Sequence, residues 1–251
     1  MSSPTARPAT SARRSPVGVV VGMALLVVGL AVLGWFGYQF IGTTIIARQE
    51  FTRTTSGLED AWAKSPVPGS GSAAGSGAAA AGSGTTAAGS GKTASGEVAA
   101  DGTITRTPGA AAAIMRVPAW GDGWVVPILD GTSEQVLAKG LGWYEGTAPP
   151  GQVGNFAVAG HVVTHGQPFR RLSSLPAGST VLVETRDTIY TYAIDSSTVV
   201  KDSDTWVVQP VPGHPGEQPT DRLITLTTCA DLFRSPDRYI AFGHLVNEQA
   251  K

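Results

Sequence analysis

No charged side chain occurs from Pro16 to Ala47, and most of that stretch is Val, Leu, Ala, Gly and Ile. Residues 17–46 (VGVVVGMALLVVGLAVLGWFGYQFIGTTII) exceed the ~20 residues an α-helix needs to cross a bilayer. The run is too long for the apolar core of a signal peptide, and no clear small-x-small cleavage site ends it. Trp35, Phe36 and Tyr38 lie towards its C-terminal end, where an interfacial aromatic belt belongs. The expectation is a single transmembrane signal anchor over 17–46. Arg7, Arg13 and Arg14 precede it closely, while Arg48 and Arg53 follow it. A short basic segment before a first span favours a cytoplasmic N-terminus (1–16) and an extracellular remainder.

After the span comes a short polar stretch, 51–64, with one possible helical turn in GLEDAWAK. From Pro66 to about Ala113 the chain is built mostly from Ala, Gly, Ser and Thr, with AAGSG-like units recurring. Such a composition has almost no side chain able to build a core, so the entropy of ordering it would go uncompensated. Residues 47–113 are therefore expected to be an extracellular linker. They hold 12 of the 32 glycines, and the uncharged apolar span helps to hold the charged fraction to only 15%. The net charge of -1 excludes a globally basic nucleic-acid binder.

Residues 114–247 are about the size of a single domain. Short β-branched runs recur at 114–118, 124–129, 155–161, 180–185, 188–194, 206–208, 222–229 and 238–246, punctuated by Gly, Pro and Asp. One segment, 133–141 (SEQVLAKGL), reads as a short helix started by Ser133 or Thr132. The expected fold is all-β, an eight-stranded barrel with short helices.

One cysteine in the chain excludes an intrachain disulfide, a CxxC redox pair and a two-Cys metal site. Cys229 ends the run RLITLTTC, which places the thiol at the rim of a sheet; a buried small hydrophobe is the bland alternative. His161 ends the run NFAVAGH and is suited to acid–base work. His165, four residues on, falls in a loop, and one Cys with two His is a poor zinc set. Arg238 opens the strand after Cys229, so adjacent antiparallel strands would return it beside the thiol. There it could hold an oxyanion, or else pair at the surface with Asp231 or Asp237.

TLTTC at 225–229, Arg238 in RYIAFG, and AGHVVTHGQPFRRL at 159–172 together resemble the sortase family. The stretch 144–161 and the form of the Cys motif look most like the class E housekeeping sortases of high-GC Gram-positive bacteria. The resemblance covers about 114–246. Val162, where many class E members carry Arg, and the long low-complexity stretch are departures from the pattern.

The resemblance implies a membrane-anchored cysteine transpeptidase without metal or cofactor. It would cleave an LPxTG- or LAxTG-like C-terminal sorting signal of secreted proteins after Thr, and transfer them to an amine of a cell-wall precursor, lipid II. Cys229 would be the nucleophile, His161 the acid and base, and Arg238 the oxyanion ligand. Thr228 would contact substrate or Arg238, and Tyr144 would contact substrate, where class E enzymes place a tyrosine linked to LAxTG-like preference. A cysteine hydrolase could use the same three residues. A non-catalytic tethered binding module, with a face made of Trp120, Trp124, Trp143 and Trp206, is the other alternative. The Ser-x-Gly-Cys context of L,D-transpeptidases is absent.

Overall fold

The computed structural model describes residues 16–64, 106–229 and 236–251. The chain divides into two units, Met1–Gly42 and Thr43–Lys251.

In the first unit, α1 (Pro16–Gly37) runs into a π-helical turn, Tyr38–Gly42. Val17–Gly37 is 21 residues long, about 32 Å at 1.5 Å per residue, enough to cross the apolar thickness of a bilayer. Its large apolar side chains are exposed all round, Val17, Leu25 and Leu33 among them, as a lipid-facing helix requires. The segment 17–46 thus comprises α1, the π turn and the first turn of the next helix.

That next helix differs from expectation. α2 (Thr43–Lys64) is a continuous helix of 22 residues rather than a polar stretch with one turn. Ala47, Phe51, Thr55 and Leu58 form one buried stripe at helical spacing. Ala47 and Phe51 belong to the same hydrophobic cluster as the barrel interior. The stripe was hard to see because Ala and Thr supply half of it. Thr55 is tolerated in it because its hydroxyl donates to the Phe51 carbonyl at 2.8 Å. Arg116 ties the helix to the barrel, donating to Glu59 at 2.9 Å and to Glu184 at 3.2 Å. Residues 65–105, which include most of the low-complexity stretch, lie outside the described residues.

The second unit is built on a closed barrel of eight strands, in the order β1-β2-β3-β4-β7-β8-β6-β5. The strands are β1 (Ala111–Arg116), β2 (Val125–Asp130), β3 (Leu141–Trp143), β4 (Gly154–Ala159), β5 (Thr180–Glu184), β6 (Thr188–Lys201), β7 (Arg222–Cys229) and β8 (Asp237–Ala250). The β2/β3 and β4/β7 pairs are parallel and the rest antiparallel. Met115, Ile128, Phe156, Val158, Tyr192, Ile224 and Leu226 fill the interior.

Two local expectations change. α3 (Glu134–Leu137) is capped by Ser133, whose side chain accepts from the Val136 N–H, and it stops before Leu141. The residues after it form β3 instead. A Cβ at Gly142 would lie 2.5 Å from the Gly131 carbonyl oxygen, so only glycine allows this strand to approach so closely. The segment 206–208, expected as a strand, belongs to a 3₁₀ turn, Thr205–Val208. Trp206 there stacks on Phe242 of β8, with ring centroids 6.0 Å apart. The paired strands β6 and β8 are each 14 residues long, well beyond their expected ends. Their outer halves are exposed, so the apolar alternation that marks a strand fades there.

Candidate active site

Two strand pairings assemble the site. In the antiparallel β7/β8 ladder, Thr227 faces Ile240, Thr228 faces Tyr239 and Cys229 faces Arg238. Directly opposed residues project to the same face with Cβ atoms about 4.5–5.5 Å apart. In the parallel β4/β7 ladder, Ala159 is level with Thr227. Ala159 is the last paired residue of β4, and His161 follows it by two residues as Cys229 follows Thr227. The junction is pinned twice: the Gly160 N–H donates to the Thr227 carbonyl at 3.1 Å, and the Thr228 hydroxyl donates to the Gly160 carbonyl at 2.7 Å. Cys229 is a partly exposed free thiol.

Period-two alternation divides β7 between two faces. Ile224 and Leu226 point into the barrel core, and Thr228, on their face, is buried with its hydroxyl held by Gly160. Thr228 therefore supports the backbone leading to His161. Thr225, Thr227 and Cys229 share the other face. The Tyr144 hydroxyl is 3.0 Å from Thr227 Oγ1, which places Tyr144 one side-chain step from Cys229 on that face.

His161 begins a tight loop that is closed by the Phe169 N–H donating back to the His161 carbonyl at 3.0 Å. Within it His165, Gly166 and Gln167 all have left-handed backbones, with φ of 51°, 82° and 54°. The turn returns the His165 ring to within 5.0 Å of the His161 ring, at an interplanar angle of 30°. Burial holds the His161 pKa below the ordinary histidine value; the neighbouring His165 lowers it further, and Glu134 opposes both. Burial also lowers that of His165, again against Glu134. His161 is thereby biased to the neutral imidazole, the form that can accept a proton.

Arg238 is partly exposed. Nη1 donates to the Asp237 carbonyl at 3.2 Å and Nη2 lies 3.6 Å from Asp202. Of the surface partners expected for it, Asp237 pairs through its carboxylate with Lys201, and Asp231 lies outside the described residues. Among the described residues no cluster of His, Cys, Asp or Glu is arranged to hold a metal ion. The four tryptophans weighed as a binding face are dispersed. Trp143 is in the core, Trp206 lies on Phe242, and Trp120 packs edge-to-face on Trp124 at 4.7 Å.

The family model for the sortase domain matches residues 115–246, more than half of the chain. The chain belongs to the sortase family. It is 30% identical to Sortase SrtE1 of Streptomyces coelicolor over 98% of its own length, spanning 63% of that relative. The structure of sortase E from Streptomyces avermitilis is similar at 41% identity and a TM-score of 0.52, covering 57% of this chain and 93% of that one. Sortase E1 from Streptomyces coelicolor, solved with a tripeptide in the active site, is similar at 37% identity and a TM-score of 0.52, over 58% of this chain and 93% of that one. These relatives make it a class E-like sortase, a type within a family of cysteine transpeptidases.

In this sortase two neighbours of the site escaped the sequence. Asp202 reaches Arg238 through the β6/β8 ladder, in which Lys201 faces Asp237. No local signal marks it. His165 was considered only as a metal ligand, and set aside, because its approach to His161 depends on the left-handed turn between them.

Proposed function

We propose that the chain is a membrane-anchored transpeptidase acting on C-terminal sorting signals of LPxTG or LAxTG type in secreted proteins. The observation that carries this reading is the direct pairing of Cys229 with Arg238, next to a parallel β4/β7 ladder that ends two residues before His161. Neutral His161 takes the Cys229 proton as the sulfur attacks the threonine carbonyl of the signal, and Arg238 donates hydrogen bonds to the oxyanion. Collapse of the adduct breaks the Thr–Gly amide bond, with His161 protonating the departing amine. The thioester then meets an amine of the peptidoglycan precursor lipid II. Neutral His161 takes a proton from that amine as the new amide forms and the thiolate is released.

Thr228 acts here as a positioning residue for His161, and Tyr144 borders the substrate groove. Residues 1–16 lie in the cytoplasm, 17–46 anchor the chain, and the catalytic domain, 114–247, faces outward. A bound amine acceptor separates transfer from simple hydrolysis. Fluorogenic LAxTG-like and LPxTG-like peptides are incubated with the protein, with and without a soluble glycine-type amine, and products are identified by mass. An amide product that depends on the amine and on Cys229 supports the reading. Release of the free acid alone, unchanged by amine, favours the hydrolase; no cleavage of either peptide removes the proposal.

A further inference from the structure

Beyond the catalytic groove, a crevice of about 510 Å³ opens between α2 and the barrel, wholly within the unit Thr43–Lys251. Arg48, Arg170 and Arg171 line it together with Trp120 and Trp124, and no Asp or Glu is among its lining residues. Each guanidinium is oriented by a neutral acceptor. Arg48 donates to the Gly166 carbonyl at 3.4 Å, Arg170 to Gln167 Oε1 at 2.7 Å and Arg171 to the Trp120 carbonyl at 2.7 Å. None of the three has a carboxylate within ion-pair distance among the described residues. A guanidinium carries five N–H donors, so one neutral bond leaves most of the fork open. Three such forks around one opening match the oxygens of a phosphate group, which guanidinium binds in bidentate fashion.

The source of that phosphate follows from the chain. α2 starts at Thr43, immediately after the unit that holds the apolar helix. Arg48 lies about 8 Å along the helix from Thr43 at 1.5 Å per residue. Juxtamembrane arginines within a Debye length of a bilayer are drawn to anionic headgroups, and tryptophan favours the same interfacial layer. We infer that the Arg48–Arg170–Arg171 crevice binds the phosphate of an anionic membrane lipid. The inference rests on the apolar helix being a membrane anchor and is independent of the peptide-transfer chemistry.

The full chain in nonionic detergent is titrated calorimetrically with dihexanoyl-phosphatidylglycerol, dihexanoyl-phosphatidylcholine and inorganic phosphate. Saturable binding of the phosphatidylglycerol, at least tenfold tighter than the other two, is expected. The double variant Arg48→Gln/Arg170→Gln, which leaves the Arg171–Trp120 contact in place, should weaken it by at least tenfold. Arg170→Gln alone should weaken it at least threefold. Arg53→Gln, on an exposed arginine of α2 outside the crevice, should leave it unchanged. Phosphatidylglycerol binding no better than phosphatidylcholine overturns the inference. Equal binding of inorganic phosphate overturns the lipid assignment, and an equal loss in Arg53→Gln shows diffuse attraction instead of a site.

Discussion

The Thr228 hydroxyl donates to the Gly160 carbonyl at 2.7 Å, so the residue before Cys229 is tied to the residue before His161. Thiol and imidazole come from strands far apart in sequence, and this buried bond joins the two backbones where they leave the ladder. Thr228→Val keeps the shape and removes the donor, leaving a buried carbonyl without that partner at a cost of about 1–3 kcal/mol. Denaturant unfolding should show that loss. Steady-state kinetics should show kcat falling by roughly tenfold with little change in KM, the signature of a displaced imidazole. Thr228→Ser, which keeps the hydroxyl, should recover most of both.

Arg238 is opposite Cys229 and also close to Asp202. If the first relationship is the functional one, Arg238→Lys should lower the acylation rate by about 100- to 1000-fold, since a point charge cannot reproduce the planar fork. Asp202→Asn should change the melting temperature hardly at all, because exposed ion pairs contribute about 0–1 kcal/mol. Stopped-flow acylation and thermal melts check the two separately. Cys229→Ala should abolish acylation with the fold intact.

Both imidazoles in the His161 loop have pKa values below the ordinary histidine value. A depressed pKa means that the unfolded chain binds a proton that the folded chain resists. The stability concerned is fully present above about pH 6.5, the unfolded value. It is lost as pH falls from there through the folded values. Urea midpoints should therefore fall between pH 7 and pH 5. In His165→Gln the cation that opposes protonation of His161 is gone, so the His161 ring, followed by NMR, should titrate at higher pH than in the parent chain. An unchanged midpoint would remove His165 as a neighbour that matters.

α2 reaches under the histidine loop. A Cβ placed at Gly166 would lie 2.6 Å from the Phe51 ring, and Phe51 and Leu58 are 4% and 2% exposed. A chain beginning at residue 106 should keep the barrel, by circular dichroism, but lose about 3–5 kcal/mol relative to residues 43–251, the order expected for exposing two such side chains. Gly166→Ala in the longer chain should also destabilise it, through the ring contact and through a φ of 82° that alanine adopts poorly.

Much of this sortase could be read from local pattern. A long uncharged run declares an apolar helix by length alone, and short β-branched runs between Gly and Pro declare strands. A Cys and an Arg at facing ends of consecutive strands need only a hairpin to meet, and the β7/β8 register supplies it. What tertiary structure decided was less visible for physical reasons. α2 shows a weak apolar stripe because Ala47 and Thr55 contribute little hydrophobic signal, and burial under the barrel rather than composition makes it part of the core. β3 has only three residues and exists through its neighbours β2 and β4, while Trp206 lies in a 3₁₀ turn with its ring stacked on Phe242. The parallel pairing of β4 with β7, which ends just before His161 and Cys229, is a long-range choice that no local periodicity encodes. Asp202 and His165 come to the site through a ladder and a left-handed turn. The sequence alone thus determined which chemistry the chain carries, and the closure of the barrel decided which side chains surround it.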